Sequence, residues 1–141
     1  MKSVNPYLNF NGNTEEAFNF YRSVFGGEFA VVMRYKDTPH EASTQKGDEE
    51  KIMHIALPLK NGQVLMGTDA CDSMGHKLSL GNNFYISIAT ESEAEARELF
   101  GKLSGGGVVT VQFGKMFWGD LFGQFTDKFG TQWMIGFSEK N

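Results

Sequence analysis

The sequence predicts an α+β domain assembled from two βαβββ modules, whose curved mixed sheet would wrap a concave pocket. Three observations carry this. Two helix signatures with the same grammar stand about 77 residues apart. Each is preceded by one short strand-like run and followed by three. Glycine clusters end both helices. Two sheets, each covered by its own helix on one face, leave their other faces to line a shared trough.

The first helix is announced by Asn13 to Glu16, an Asn/Glu capping pattern, and continues through Ala17, Phe18, Tyr21, Val24 and Phe25 at helical spacing until Gly26 and Gly27. The second has Thr90 to Glu93 as its cap, Ala96, Leu99, Phe100 and Leu103 as its apolar stripe, and Gly105 to Gly107 as terminator. Strands are expected at Tyr7 to Phe10, Glu28 to Lys36, Ile52 to Leu59 and Gln63 to Asp69 in the first module. In the second they fall at Phe84 to Ala89, Val108 to Phe113, Asp120 to Asp127 and Thr131 to Phe137. Lys60-Asn61-Gly62 and Lys128-Phe129-Gly130 are the hairpin turns. The modules span residues 5–70 and 82–138 of a single domain, 1–141. The segment 37–51 is too polar for a core and reads as a mobile loop.

Composition narrows the function. Thirteen basic against seventeen acidic residues, net −4, with no Lys/Arg cluster, argue against nucleic acid as a partner. The first ten residues lack the apolar run of a signal peptide, and no later run is long enough to span a bilayer, so the chain is expected to be cytoplasmic and off the membrane. The single cysteine, Cys71, has no intrachain disulfide partner and reads as a spare thiol.

The run from Tyr7 through Gly27 resembles the opening of the PhnB-like branch of the vicinal oxygen chelate superfamily, which includes glyoxalase I, bleomycin-resistance proteins and extradiol dioxygenases. Ile52 to Leu57, Leu65 to Asp69, Trp118 to Asp120 and Phe125 to Trp133 resemble later blocks of that branch, so the resemblance covers nearly the whole chain. It implies the glyoxalase/bleomycin-resistance-like fold and a homodimer. The superfamily spans isomerases, ring-cleaving oxygenases, thiol transferases and drug-sequestering proteins, so fold does not select a reaction. Members of the branch also carry a demethylubiquinone methyltransferase label, but this sequence has no glycine-rich strand-to-helix turn for S-adenosylmethionine.

Metal-dependent members hold an ion with His and Glu on four concave strand positions. Carried onto this chain, the histidine positions fall on Tyr85 and on Pro6 or Tyr7. The glutamate positions fall on Met134 and near Met66, Gly67 or Thr68. The resemblance therefore implies no metal and no cofactor in the usual site.

Strand alternation assigns the trough side separately. It places Tyr7 and Asn9 on that side in the first module, and Tyr85, Gln132 and Met134 in the second. In the row Met53, Ile55, Leu57, Leu59 the apolar residues face the helix, which aims His54 at the trough. His54 is the candidate catalytic residue, as general base, hydrogen-bond donor or ligand; a hydrogen-bonded structural histidine is the alternative. Asp69 either orients His54 and holds a ligand or caps the following loop. Trp118 walls the pocket mouth or joins an aromatic core contact, and Asp127 fits a tight turn. His40 and His76 lie in polar loops.

These readings lead to a PhnB-like protein that binds a small organic molecule through Tyr7, Asn9, His54, Asp69, Tyr85, Trp118, Gln132 and Met134, without the usual metal site. A metal-dependent lyase, isomerase or dioxygenase using His54 is one alternative. A dimeric interaction module with a vestigial pocket is another.

Overall fold

A computed structural model describes residues 1–37, 47–71 and 75–139. The chain divides into two compact units, Met1–Ser79 and Leu80–Asn141. Among the described residues no helix is long and apolar enough to cross a membrane.

The first unit runs β1 (Tyr7–Phe10), α1 (Thr14–Phe25), β2 (Val31–Arg34), a 3-10 turn (Tyr35–Asp37), β3 (Ile52–Pro58) and β4 (Val64–Asp69). Its sheet order is β1-β4-β3-β2, with β1 and β4 parallel and the other neighbours antiparallel. A parallel pair cannot be joined by a tight turn, so the chain leaves β1 through α1 and returns by two further strands. The β3–β4 hairpin closes at Lys60-Asn61-Gly62: the Leu59 N–H donates to the Gln63 carbonyl at 2.8 Å, and Gly62 takes φ of 88°.

Helix α1 buries Ala17, Phe18 and Tyr21 against Leu8, Phe10, Ile55, Leu57 and Leu65. Its approach is close because β4 offers a glycine beneath it: a Cβ on Gly67 would lie 2.7 Å from Phe18 Cε1. Phe18 also meets Phe10 edge-on at 6.2 Å and Tyr21 at 5.6 Å between ring centroids.

Strand β2 is shorter than the alternation suggests. Its register with β3 shifts between Met33 and Arg34, and the chain then coils so that the buried Tyr35 hydroxyl donates to the Asp69 carbonyl at 3.0 Å. Arg34 pairs with Glu15 at 2.7 Å, pulling the Glu15 carboxyl below its ordinary range through that hydrogen bond. Of the polar segment 37–51, residues 38–46 lie outside the described residues, and His40 with them.

The second unit repeats the order: β5 (Ile86–Ala89), α2 (Glu93–Ser104), β6 (Val108–Lys115), β7 (Leu121–Thr126) and β8 (Gln132–Phe137), in a sheet ordered β5-β8-β7-β6. Again the first and last strands are parallel. Helix α2 buries Ala96, Phe100 and Leu103, three positions on one face, over Phe125, Trp133 and Ile135. A Cβ on Gly123 would lie 2.5 Å from Phe100 Cε2, and Phe100 stacks edge-on against Phe125 at 5.1 Å. Two sheets of four mixed strands, each with one helix, make an α+β fold.

Both helix caps differ from the sequence reading. Asn13 flanks α1, but its side chain makes no capping bond. In α2 the cap is Ser92, two residues beyond Thr90: its Oγ accepts the Glu95 N–H at 3.1 Å, while the Glu95 carboxylate accepts the Glu91 N–H at 2.9 Å.

Gly67→Ala should overpack the α1 interface and lower stability by about 1–3 kcal/mol. Urea unfolding measures this, and unchanged stability would contradict the close Phe18 contact.

Candidate functional site

In the first unit the face away from α1 follows from the register. Tyr7 lies opposite Met66, which lies opposite Ala56, which lies opposite Val31. One row along, Asn9 lies opposite Thr68, and His54 lies opposite Met33. Side chains directly opposite share a face, so Tyr7, Asn9, Met33, His54, Ala56, Met66 and Thr68 stand together.

Tyr7 reaches across β4 to His54. The phenol oxygen is 3.0 Å from His54 Nδ1, and the two rings are nearly parallel, 5.6 Å apart between centroids and 19° between planes. Partial burial pushes the Tyr7 phenol above its ordinary range and keeps it protonated. The phenol can donate to a bare Nδ1 or accept from an Nδ1–H, so the pair can serve neutral imidazole and imidazolium alike. The Thr68 hydroxyl does not compete: it donates to the Met53 carbonyl at 2.7 Å. Asn9 is exposed at the sheet edge beside Tyr7.

Of the two roles open to Asp69, its surroundings are those of a cap. It sits next to Thr68 on β4, so alternation turns its side chain to the α1 face, away from His54. There it is 2% exposed. Oδ1 accepts from the Gly12 N–H at 3.0 Å, the Thr14 N–H at 3.1 Å and the Thr14 hydroxyl at 2.6 Å. Oδ2 accepts from the Ile52 N–H at 2.8 Å. The carboxylate is thus the capping group of α1, supplied from a strand 55 residues downstream.

In the second unit, Met134 lies opposite Ser87 and Gln124, on the face away from α2. Tyr85 precedes β5, and its hydroxyl accepts from Gln124 Nε2 at 3.1 Å; the same amide nitrogen is 3.2 Å from Thr110 Oγ1. Gln132 donates to the Phe84 carbonyl at 2.7 Å, which uses its amide nitrogen to hold the strand entering β5. Trp118, half exposed in the β6–β7 turn, packs against Phe122 at 6.1 Å and Phe117 at 4.9 Å. Phe122 lies opposite Gly136, two residues beyond Met134, and so shares its face.

Gln124 was missed in the sequence reading. Alternation in β7 was available to find it, since Phe125 beside it is a core residue. Asp127 holds its turn: Oδ1 accepts the Phe129 and Thr131 N–H groups at 2.8 and 3.0 Å, and Oδ2 accepts the Trp133 indole N–H at 2.9 Å. His76 is exposed. Cys71 is buried beside Tyr35, and burial pushes its thiol above the ordinary range.

The donor set does not fit a metal by the superfamily's pattern. Among the described residues His54 is the one imidazole on its face, and no three His, Cys, Asp or Glu side chains converge.

The model of a family described as 3-demethylubiquinone-9 3-methyltransferase matches residues 2–136. The chain belongs to that family. Protein YjdN of Escherichia coli K12 is 25% identical over 140 residues, covering 94% of this chain and 92% of its own. Among solved structures, protein PA1353 from Pseudomonas aeruginosa is 34% identical with a TM-score of 0.86, covering 98% of both chains. A PhnB protein from Bacillus cereus is 28% identical with a TM-score of 0.79, covering 97% of this chain and all of its own. A glyoxalase-related enzyme from Fulvimarina pelagi, 18% identical with a TM-score of 0.62 and covering 98% of this chain and 89% of its own, shares the fold. The chain is thus a PhnB-like member of that family, and it shares its fold with glyoxalase-related proteins.

Asp69→Ala would strand the amides of Gly12, Thr14 and Ile52 without an acceptor. Losing hydrogen bonds to a buried charge predicts at least ~3 kcal/mol of destabilisation. Asp69→Asn, which keeps one carbonyl oxygen, should cost less. Denaturant unfolding of both variants checks the order.

Proposed function

We propose that this PhnB-like protein binds a small, partly aromatic or amphipathic organic molecule, with His54 and Tyr7 as its polar anchor and no metal of the superfamily type. The observation that carries the reading is the bonded Tyr7–His54 pair, set on a sheet face with Met33, Ala56 and Met66 and uncovered by its own unit's helix. Few polar groups placed among apolar ones is the usual make-up of a site for such ligands. In the second unit, the Tyr85–Gln124–Thr110 chain and the Trp118–Phe122 contact give the face away from α2 the same character.

Methyl transfer, the activity in the family's description, would call for S-adenosylmethionine. The strand-to-helix turns do not fit it. Asp69 takes the Gly12 and Thr14 amides at the entry to α1, and at the entry to α2 Glu95 takes the Glu91 amide and Ser92 the Glu95 amide. Binding through the sheet faces is therefore the reading preferred here, whether or not a reaction follows.

A fragment set of monocyclic aromatic compounds, followed by chemical-shift perturbation, tests it. Hits should shift resonances of Tyr7, His54 and Met66. His54→Ala should weaken them about tenfold, the equivalent of about 1.4 kcal/mol. Hits that ignore His54→Ala, or that map to the helices, would refute the assignment.

A further inference from the structure

We infer that Tyr7 is a positioning residue that holds His54 as the Nε2–H tautomer, so that the site presents a hydrogen-bond donor and its ligand presents an acceptor oxygen of a neutral carbonyl group. This deepens the binding reading above and rests on it for the identity of the ligand, but not for the tautomer.

The direction of the Tyr7–His54 bond decides the matter. A phenol is a far stronger acid than a neutral imidazole N–H, and an imidazole nitrogen lone pair is a better acceptor than a phenol oxygen, whose electrons are shared with the ring. With both groups neutral, the favoured bond therefore runs from the phenol O–H to a bare Nδ1, and the ring proton must then sit on Nε2. The 3.0 Å separation is that of a formed bond. Retention of the phenol proton, favoured by partial burial, agrees with it.

Among the described residues nothing nearby takes either group away from this arrangement. Thr68, the one hydroxyl between the two strands, is turned to the Met53 carbonyl. Among the described residues Tyr7 and His54 make no further side-chain hydrogen bond, which leaves the Nε2–H for a ligand.

The chemical class follows from charge. The groups sharing the face with His54 are Tyr7 and Asn9 on β1, Met66 and Thr68 on β4, Ala56 on its own strand, and Val31 and Met33 on β2. None carries a fixed charge. The cationic Arg34 at the end of β2 is committed to Glu15 on α1, and Lys51 before β3 to Asp48. While His54 is neutral, a carboxylate ligand would find no counter-ion among the described residues of that face and would lose its hydration uncompensated. A neutral ketone, ester or amide carbonyl needs only the single N–H that the imidazole offers, and its apolar remainder can lie on Met33, Ala56 and Met66.

The tautomer is read without any ligand from long-range proton–nitrogen correlation spectra of the neutral imidazole. The wild-type chain should show Nε2 protonated and Nδ1 bare, and Tyr7→Phe should lose that preference while the backbone spectrum is retained. A wild-type Nδ1–H, or a tautomer unchanged in Tyr7→Phe, would overturn the inference. The ligand class is read with three probes of one shape: acetophenone, α-methylstyrene, which replaces the carbonyl oxygen with CH2, and benzoate. Acetophenone should shift the His54 resonances at a concentration at least tenfold below either other probe. Equal potency of α-methylstyrene or tighter benzoate binding would overturn the carbonyl assignment. Failure of all three on a chain with the expected tautomer would count against the binding reading and leave the role of Tyr7 standing.

Discussion

The arrangement of the first unit depends on one carboxylate. Asp69 closes β4 and, from the α1 side of the sheet, gathers the amides of Gly12, Thr14 and Ile52 with the Thr14 hydroxyl. Those donors belong to the turn into α1, its first residue, and the start of β3. A single buried anion thereby fixes where the helix begins, where β3 enters the sheet and how β4 ends beside β1. The helix N-terminus supplies a compensating partial positive charge, which is why an ionised group is tolerated at that depth.

That anchor also sets the geometry of the opposite face. With β1, β4 and β3 held in register, Tyr7 and His54 are separated by one strand, within reach of a phenol but not of a shorter side chain. The polar pair on one face and the buried carboxylate on the other are neighbours through the β4 backbone, Thr68 and Asp69 pointing to opposite sides. In the second unit the capping and turn-holding side chains act locally. Asp127 binds the amides of its own hairpin and the Trp133 indole, and α2 is capped by its own Ser92 and Glu95.

Much of the fold was legible in the sequence because its determinants are local. The apolar stripe of α1, the period-two rows of β3 and β8, and the Gly62 and Gly130 turns each declare themselves within a few residues. Alternation alone assigned Tyr7, His54 and Met134 to the faces away from the helices. What escaped was non-local. The Asn13 to Glu16 signature suggested a self-capped helix, yet the acceptor comes from β4, which no window around Asn13 contains. Asp69 was ambiguous for the same reason: a carboxylate at the end of a strand reads alike as ligand, orienter or cap until its donors are in place. The β2 strand was overextended because alternation persists in the sequence past the register shift at Arg34, where the ladder ends.

The two glycines under the helices bear on how the modules have come to differ. In the first unit the helix presses its phenylalanine onto Gly67 of β4, next to the parallel first strand; in the second it presses Phe100 onto Gly123 of β7, one strand further across. The backbone plan is therefore repeated while the point of closest helix approach is not. A helix transplanted from one unit to the other would set its phenylalanine against a side chain rather than a gap, so the halves are no longer interchangeable parts. Each is committed to its own helix, and sequence drift on the opposite face has been free to proceed separately in the two, giving a tyrosine–histidine pair in one and a tyrosine–glutamine pair in the other.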